Sequence, residues 1–135
     1  LAKMYAPLAQ QGATRDKQFM SPDQVQVMAE TAVRGGIDRT LMMPTHFSAG
    51  FMKTMNNLDR SGGALESMIF GPKAFGHAGA GGSLGFAEPE LGLSFGYVMN
   101  QMGAGILLNE RGQTLVDALY QSQGYRHARL GDYRR

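Results

Sequence analysis

Residues 75–100 read FGHAGAGGSLGFAEPELGLSFGYVMN, and this stretch decides the fold. Two runs of β-forming residues, Ser83–Ala87 and Leu91–Met99, flank the segment Glu88-Pro89-Glu90. A proline and polar residues between two such runs are typical of a turn. The pattern therefore predicts an antiparallel hairpin.

A third strand is predicted directly before this hairpin, over Ala74–Gly79. The glycines Gly79, Gly81 and Gly82 follow it closely, and they permit a bulge or a sharp return of the chain. The third strand is thus expected to lead straight into the hairpin.

Two helices are predicted upstream of these strands. Apolar residues at helical spacing begin at Leu1 and define a helix that ends at Gly12, with a kink or a later start at Pro7. Ser21-Pro22-Asp23-Gln24 combines an N-cap serine, a proline at the first helical position and the glutamine of a capping box. The helix that this segment opens is expected to close at Gly35-Gly36.

The remaining elements are shorter or lie at the end of the chain. Residues 41–70 are glycine-broken and predict short strands joined by a polar loop near residues 56–63. Leu115, Val116, Leu119 and Tyr120 share one helical face, and Gly124 marks the end of that helix. Helices, then strands, then a helix predict an α+β fold in which helices cover an antiparallel sheet.

Composition places the chain among globular proteins and excludes several partners. Hydrophobic residues make up 43% and charged residues 18% of the 135 residues, the net charge is +2, and there is no cysteine. Disulfides and thiolate metal sites are therefore excluded. No apolar run approaches the roughly 18 residues of a transmembrane helix. Four of the thirteen basic residues form a tail that predicts a solvated end rather than a nucleic-acid site: Arg126, Arg129, Arg134 and Arg135.

The chain opens inside an amphipathic helix, at Leu1, with no capping residue and no signal segment before it. We therefore expect Leu1 to follow further residues in a longer polypeptide.

Gly81-Gly82-Ser83-Leu84-Gly85 matches the nucleophile elbow of α/β-hydrolases in form. An elbow requires a helix directly after its serine, and Glu88-Pro89 follows too soon for one. The match leaves an esterase that uses Ser83 as a minor alternative, with His127 as the only later histidine.

The other motifs point away from cofactors and metals. The glycines lack the third glycine and the Walker lysine of a phosphate-binding loop. His46, His77 and His127 do not have metal-ligand spacing, so neither a metal nor a cofactor is expected. His46 and His127 are interpreted as surface or satisfied core residues.

His77-Ala78-Gly79, with the strand Ser83–Ala87 and the segment Gly85–Leu93 after it, resembles the third motif box of serine β-lactamases and penicillin-binding proteins. That box is usually K-T-G, and in many class C-like esterases it is H-x-G, as here. The resemblance covers most of this chain but only the last third or so of a family member. It implies that residues 1–135 are the C-terminal portion of a single β-lactamase-like domain.

The resemblance also implies roles for individual residues. His77 takes the position of the lysine of the box, Ala78 that of its hydroxyl residue and Gly79 that of its glycine. The N–H of Ala80 then completes an oxyanion hole, while Ala78 and Gly79 border the substrate. His77 would hydrogen-bond or steer the substrate or orient a catalytic tyrosine or lysine.

Two departures from the family pattern shape the functional hypothesis. Ala78 lacks the hydroxyl that helps β-lactamases hold a carboxylate, so esters, amides and peptides are at least as plausible substrates as β-lactams. No S-x-x-K or Y-x-N occurs in the 135 residues. The resemblance places those boxes upstream of Leu1, in a missing N-terminal part of the same enzyme.

We therefore expect part of a serine hydrolase that acts on a small acyl substrate through an acyl-enzyme and is inactive on its own. The alternative from another class is a non-catalytic module that binds a peptide or ligand with its glycine-rich loop.

Overall fold

The computed structural model describes residues 1–61, 63, 65–127 and 133–135. Three helices are α1 Ala2–Ala9, α2 Pro22–Ala29 and α3 Glu110–Ser122. The strands of the described residues are β1 Ala13–Thr14, β2 Lys17–Gln18, β3 Thr31–Ile37, β4 Pro44–Ser48, β5 Phe75–Gly79, β6 Ser83–Glu88, β7 Leu93–Tyr97, β8 Arg126–His127 and β9 Tyr133–Arg134. This arrangement confirms the predicted α+β class with antiparallel strands and helices.

The predicted three-stranded unit is present, with β6 between β5 and β7. The hairpin turns between Glu88 and Leu93, slightly later than the sequence predicts. Met52 forms isolated bridges with both Phe47 of β4 and Gly76 of β5. These bridges connect β3 and β4 to the outer side of β5, so one antiparallel system runs from β3 to β7.

Helix α1 lies close to β6 and β7 because two paired glycines leave room for it. Gly85 and Gly96 face each other across these strands. A side chain at Gly85 would overlap the ring of Tyr5, and one at Gly96 would overlap the backbone of Ala2. The helix runs through Pro7 and ends at Ala9, so the predicted later start at Pro7 and the predicted end at Gly12 are wrong.

Helix α2 confirms the capping box. Ser21 Oγ accepts from the Gln24 N–H at 3.2 Å, and the Ser21 N–H donates to Gln24 Oε1 at 2.9 Å. The predicted end at Gly35-Gly36 is wrong, because the helix stops at Ala29 and both glycines lie in β3. Their positive φ angles of 73° and 92° fall at a register shift against β4, where glycine is tolerated in place of a regular pair.

The sheet separates two apolar clusters, as alternation along its strands requires. Phe75 and Ala87 face α1 and α2 and pack with Leu8, Ala9 and Val25. Ala78, Leu84 and Phe86 face the other way, toward α3. This second cluster includes Met43, Met52, Met55, Met68, Ile69, Phe70, Leu107, Leu108, Val116 and Tyr120. Several methionines come from residues 41–70, whose described part forms β4 and single bridges in place of the predicted strands.

A buried polar network ties α3 to the end of β6. The Tyr120 hydroxyl donates to Glu88 Oε2 at 2.5 Å and accepts from the Gly71 N–H at 2.6 Å. Both side chains are 1% exposed. Burial raises the pKa of the Glu88 carboxyl. The hydrogen bond from Tyr120 and the charge of Lys53 lower this pKa, but by less than burial raises it.

The predicted C-terminal helix begins earlier than expected, at Glu110 rather than near Leu115, because Asn109 caps it. Gly124, with φ of 82°, follows it as predicted. Arg126, Arg134 and Arg135 of the basic tail are exposed, but β8 and β9 pair, so this end is structured in part. Arg129 lies outside the described residues. Within the part of the chain described here, no helix has the length and apolar character needed to cross a membrane.

We predict that the Glu88 carboxyl gives the stability of the chain a pH dependence. Its raised pKa means that the folded state binds this proton more readily than the unfolded state. The contribution is fully present below the ordinary glutamate pKa, about 4.3, and is lost as pH rises through the folded-state value. Glu88→Gln, measured by urea unfolding from pH 4 to 8, should remove this part of the dependence.

The Tyr120→Phe variant serves as the companion measurement. It leaves the Gly71 N–H and the Glu88 carboxylate without their shared partner. The free energy of unfolding should fall by about 1–3 kcal/mol at neutral pH. A pH-independent difference between the wild type and Glu88→Gln would show that the carboxyl does not titrate in this network.

Candidate active site

The outer side of β5 is the edge that faces away from β6. Another segment of the chain pairs with this edge at the start of the strand and leaves it open at the end. The Gly76 N–H donates to the Met52 carbonyl at 3.0 Å, and the Met52 N–H donates back at 2.8 Å. The segment that contains Met52 turns away from the end of β5. A hydrogen bond from the Ser48 N–H to the Phe51 carbonyl closes this turn. Backbone groups alternate sides along a strand, so the N–H and C=O of Ala78 face the same outer side as those of Gly76.

A tight turn connects β5 to β6 and presents the residue after the strand. The Gly82 N–H donates to the Gly79 carbonyl at 3.0 Å, and Gly81 has φ of 86°. A bond from the fourth residue to the first, with a left-handed third residue, is the pattern of a type II turn. Ala80 is therefore the second residue of the turn.

This turn sets the direction of the Ala80 N–H. The N–H of Ala80 and the C=O of Gly79 belong to one planar trans peptide and point in opposite directions. Because the carbonyl is bonded to Gly82 inside the turn, the N–H points outward. Ala80 is exposed, and its N–H has no hydrogen-bond partner among the described residues. The geometry offers a backbone donor at the open end of the strand.

The N–H and the C=O of Gly81, the residue after Ala80, are both hydrogen-bonded. The Gly81 N–H donates to the Gly105 carbonyl at 3.0 Å. The Gly81 carbonyl accepts from the Gly103 N–H at 2.9 Å and from Asn109 Nδ2 at 2.8 Å. The turn is therefore anchored to the loop that precedes α3 and to the cap of that helix.

His77 lies on β5 with its side chain exposed, on the same face as Phe75. Its Nδ1 is 2.6 Å from the Ala78 carbonyl oxygen. A carbonyl oxygen only accepts, so this contact requires the hydrogen on Nδ1, and in the neutral ring Nε2 is then an acceptor. The side chain can thus accept a hydrogen bond at the surface of the strand end.

Ala78 and Gly79 have different surroundings. The Ala78 side chain is 6% exposed and packs in the cluster that faces α3, so only its backbone reaches the outer side. Gly79 is half-buried, and the Ser83 hydroxyl occupies the space that a side chain there would need. The four predicted site residues are contiguous, and two of them, His77 and Ala80, are exposed at the strand end.

Tyr5 of α1 is a neighbour of this strand end that the sequence alone did not single out. Its ring covers Gly85, the β6 partner of His77, and forms an edge contact with Phe51 at 6.2 Å between ring centroids. Burial raises the pKa of the Tyr5 hydroxyl, so the group is neutral at physiological pH. Asn109 was also missed, although an asparagine before Glu110 is a recognisable helix start.

The structure also bears on the other residues that the sequence singled out, Ser83, His46 and His127. Ser83 is the first residue of β6, and this strand rather than a helix follows directly, so the elbow hypothesis is wrong. His46 bonds to Thr31 Oγ1 at 2.9 Å and lies 3.2 Å from the Thr54 carbonyl, as expected of a satisfied histidine. Burial lowers its pKa. The side chain of His127 lies outside the described residues.

The crystal structure of a family VIII carboxylesterase matches 89% of this chain at 32% sequence identity, with a TM-score of 0.73. The chain belongs to the serine β-lactamase and penicillin-binding-protein superfamily. Two further solved structures are similar. A penicillin-binding protein homologue from Caulobacter crescentus matches 90% of the chain at 30% identity and a TM-score of 0.74. EstA from Arthrobacter nitroguajacolicus Rue61a matches 87% at 31% identity and a TM-score of 0.63.

Among curated proteins, the esterase/β-lactamase LipL of Mycobacterium tuberculosis is 28% identical to this superfamily member over 110 residues, which are 82% of this chain. The chain spans 23% of the length of LipL and 30% of each of the three solved chains. No family model matches the sequence. These similarities confirm the resemblance inferred from His77-Ala78-Gly79 and the hairpin after it, and they place the chain in a group that includes esterases and β-lactamase-like hydrolases.

We predict that Gly82 is required for the turn of this superfamily member. It has φ of 104°, and a side chain there would overlap the buried Asn109 amide. Gly92 provides a matched control, because its φ is also positive, at 60°, but open space surrounds it. Gly92→Ala should cost about 1–2 kcal/mol from backbone strain. Gly82→Ala should cost about 1–3 kcal/mol more, measured by urea unfolding; equal losses would contradict the tight fit.

Proposed function

We propose that this chain is the C-terminal portion of a single β-lactamase-like domain, in a serine hydrolase that works through an acyl-enzyme. The chain contributes the H-x-G box His77–Gly79 and one donor of the oxyanion hole, the Ala80 N–H. The nucleophilic serine and its base belong to a part of the enzyme that precedes Leu1. On its own, the 135-residue chain is inactive, since it lacks the nucleophile.

The observation that carries the proposal is the outward N–H of Ala80 at the open end of β5. An oxyanion hole needs preorganised donors directed at the position where negative charge develops. The Gly79–Gly82 turn bond fixes the direction of this N–H before any substrate binds.

The reaction follows from this arrangement. The serine oxygen attacks the acyl carbon, and its proton passes through the base to the leaving alcohol or amine. Water then attacks the acyl-enzyme and releases the acid. In both steps the carbonyl oxygen gains negative charge, which the Ala80 N–H and the N–H of the serine stabilise.

His77 supports the site by hydrogen bonding rather than by attack. Its Nδ1 is engaged with the Ala78 carbonyl, so Nε2 is the atom available to a substrate or to a catalytic tyrosine or lysine. Ala78 supplies no hydroxyl for a substrate carboxylate, and its side chain is buried. Esters and amides are therefore at least as plausible substrates as β-lactams. The relative named as a carboxylesterase supports an ester, whereas LipL is named as both an esterase and a β-lactamase. The proposed reaction needs no cofactor.

A labelling experiment tests the proposal on the full polypeptide that carries this sequence. We predict that a fluorophosphonate probe labels a serine upstream of Leu1, within an S-x-x-K motif. Ser83→Ala should be labelled as the wild type is, whereas the 135-residue chain alone should not be labelled. Peptide mapping by mass spectrometry locates the labelled serine. A folded full polypeptide that is neither labelled nor active on p-nitrophenyl esters would favour the non-catalytic binding module instead.

The Ala80→Pro variant tests the oxyanion donor directly. Proline lacks a backbone N–H, yet it suits the second position of a type II turn. The fold should therefore persist while kcat on a p-nitrophenyl ester falls by about 10²–10³, the usual effect of losing one oxyanion donor.

Ala80→Ser is the matched control, because it keeps the N–H and should retain near wild-type kcat. Unfolding curves of both variants check that the fold is intact. An active Ala80→Pro enzyme would exclude this N–H from the oxyanion hole.

A further inference from the structure

The side chain of Asn109 makes two hydrogen bonds that serve different elements. Its side-chain oxygen accepts from the Gly112 N–H at 3.3 Å, which caps α3. Its side-chain nitrogen donates to the Gly81 carbonyl at 2.8 Å, across 28 positions of sequence. The side chain is buried, with 7% of the residue exposed. One amide group therefore connects the start of a helix to the turn that carries Ala80.

The packing around this amide leaves little room for it to move. A side chain at Gly82 or at Gly103 would overlap the Asn109 amide, so both glycines are in close contact with it. The Gly103 N–H donates to the same Gly81 carbonyl, which uses both acceptor positions of that oxygen. The Gly81 peptide is thus held in one orientation.

Capping alone does not explain an asparagine at this position. Aspartate, serine and asparagine cap helices about equally well, because capping uses only a side-chain oxygen. Of these three, asparagine is the residue whose side chain also offers an N–H₂ donor. The bond to Gly81 uses this donor.

We propose that Asn109 is a positioning residue for the oxyanion hole. By holding the Gly81 carbonyl, it fixes the turn from Gly79 to Gly82 and with it the direction of the Ala80 N–H. The inference rests on the proposed acyl-enzyme function, and it adds a residue outside the H-x-G box to the groups on which catalysis depends. It also gives α3 a role in the site without any contact with substrate.

Asn109→Asp separates the two tasks of the side chain. Aspartate keeps the capping oxygen and suits a helix N-terminus, but its carboxylate cannot donate to the Gly81 carbonyl. The matched control is Ser21→Ala, which removes the side-chain cap of α2, where no residue of the turn is involved. Both variants are made in the full polypeptide and compared by p-nitrophenyl ester kinetics and urea unfolding.

We expect Asn109→Asp to lower kcat and kcat/KM together, by about 10–100-fold, because the loss affects stabilisation in the transition state. Ser21→Ala should lower the unfolding midpoint and leave kcat unchanged. Amide hydrogen exchange supplies a second readout. Gly81 and Gly82, whose N–H groups donate to the Gly105 and Gly79 carbonyls, should exchange faster in Asn109→Asp, and not in Ser21→Ala.

The outcomes separate this inference from the function on which it rests. A labelled wild type with an Asn109→Asp variant of equal kcat would overturn the positioning role. Unchanged exchange at Gly81 and Gly82 would overturn it as well, even if activity fell. A folded wild type that is neither labelled nor active would overturn the proposed function itself, and the catalytic meaning of Asn109 with it.

Discussion

The hydrogen bond from the Gly82 N–H to the Gly79 carbonyl is the constraint from which the geometry of the site follows. It closes the turn between β5 and β6, and the planarity of the peptide then determines where the Ala80 N–H points. A left-handed residue is needed at the third position of such a turn, and Gly81 meets that need without steric cost. The backbone geometry of the turn therefore sets the direction of the donor.

Helix α3 supports this turn from a distance and holds the sheet at two points. Asn109 at its start bonds to the Gly81 carbonyl, and Tyr120 in its last turn bonds to Glu88 at the end of β6. β6 runs from the turn to Glu88, so the helix contacts both ends of this strand. Burial of both polar groups makes each hydrogen bond costly to lose. A disturbance of α3 would therefore reach the strand end that carries His77.

The outer side of β5 is open at the end of the strand, in a chain that matches part of longer solved relatives. The solved relatives share its fold over most of its residues, while this chain spans 30% of their length. Within the described residues, β5 is paired at Gly76 and its outer side is open beyond that point. A strand end with exposed backbone groups is suited to bind an extended or acyl group rather than to complete a core.

Local patterns in the sequence predicted much of this structure. The Ser21–Gln24 capping box, the hairpin after Gly79 and the strand before it depend on contacts between near neighbours, so the residue order determined them. The same order brought His77, Ala78, Gly79 and Ala80 together, since they are consecutive. Their assignment to a site came from the resemblance, and their catalytic roles stay predictions. The predicted helix end at Gly35-Gly36 failed because pairing with β4 outweighed the helical pattern.

Tertiary structure decided the features that join distant segments. The sequence by itself determined the strands on either side of a glycine-rich turn and the order of helices and strands in an α+β fold. It did not determine that Met52 would cover only the start of β5, that Asn109 would reach the Gly81 carbonyl, or that Ala78 would turn its side chain into the core. These outcomes depend on packing between residues far apart in the chain, and local propensity carries no information about which distant group will fill a given space.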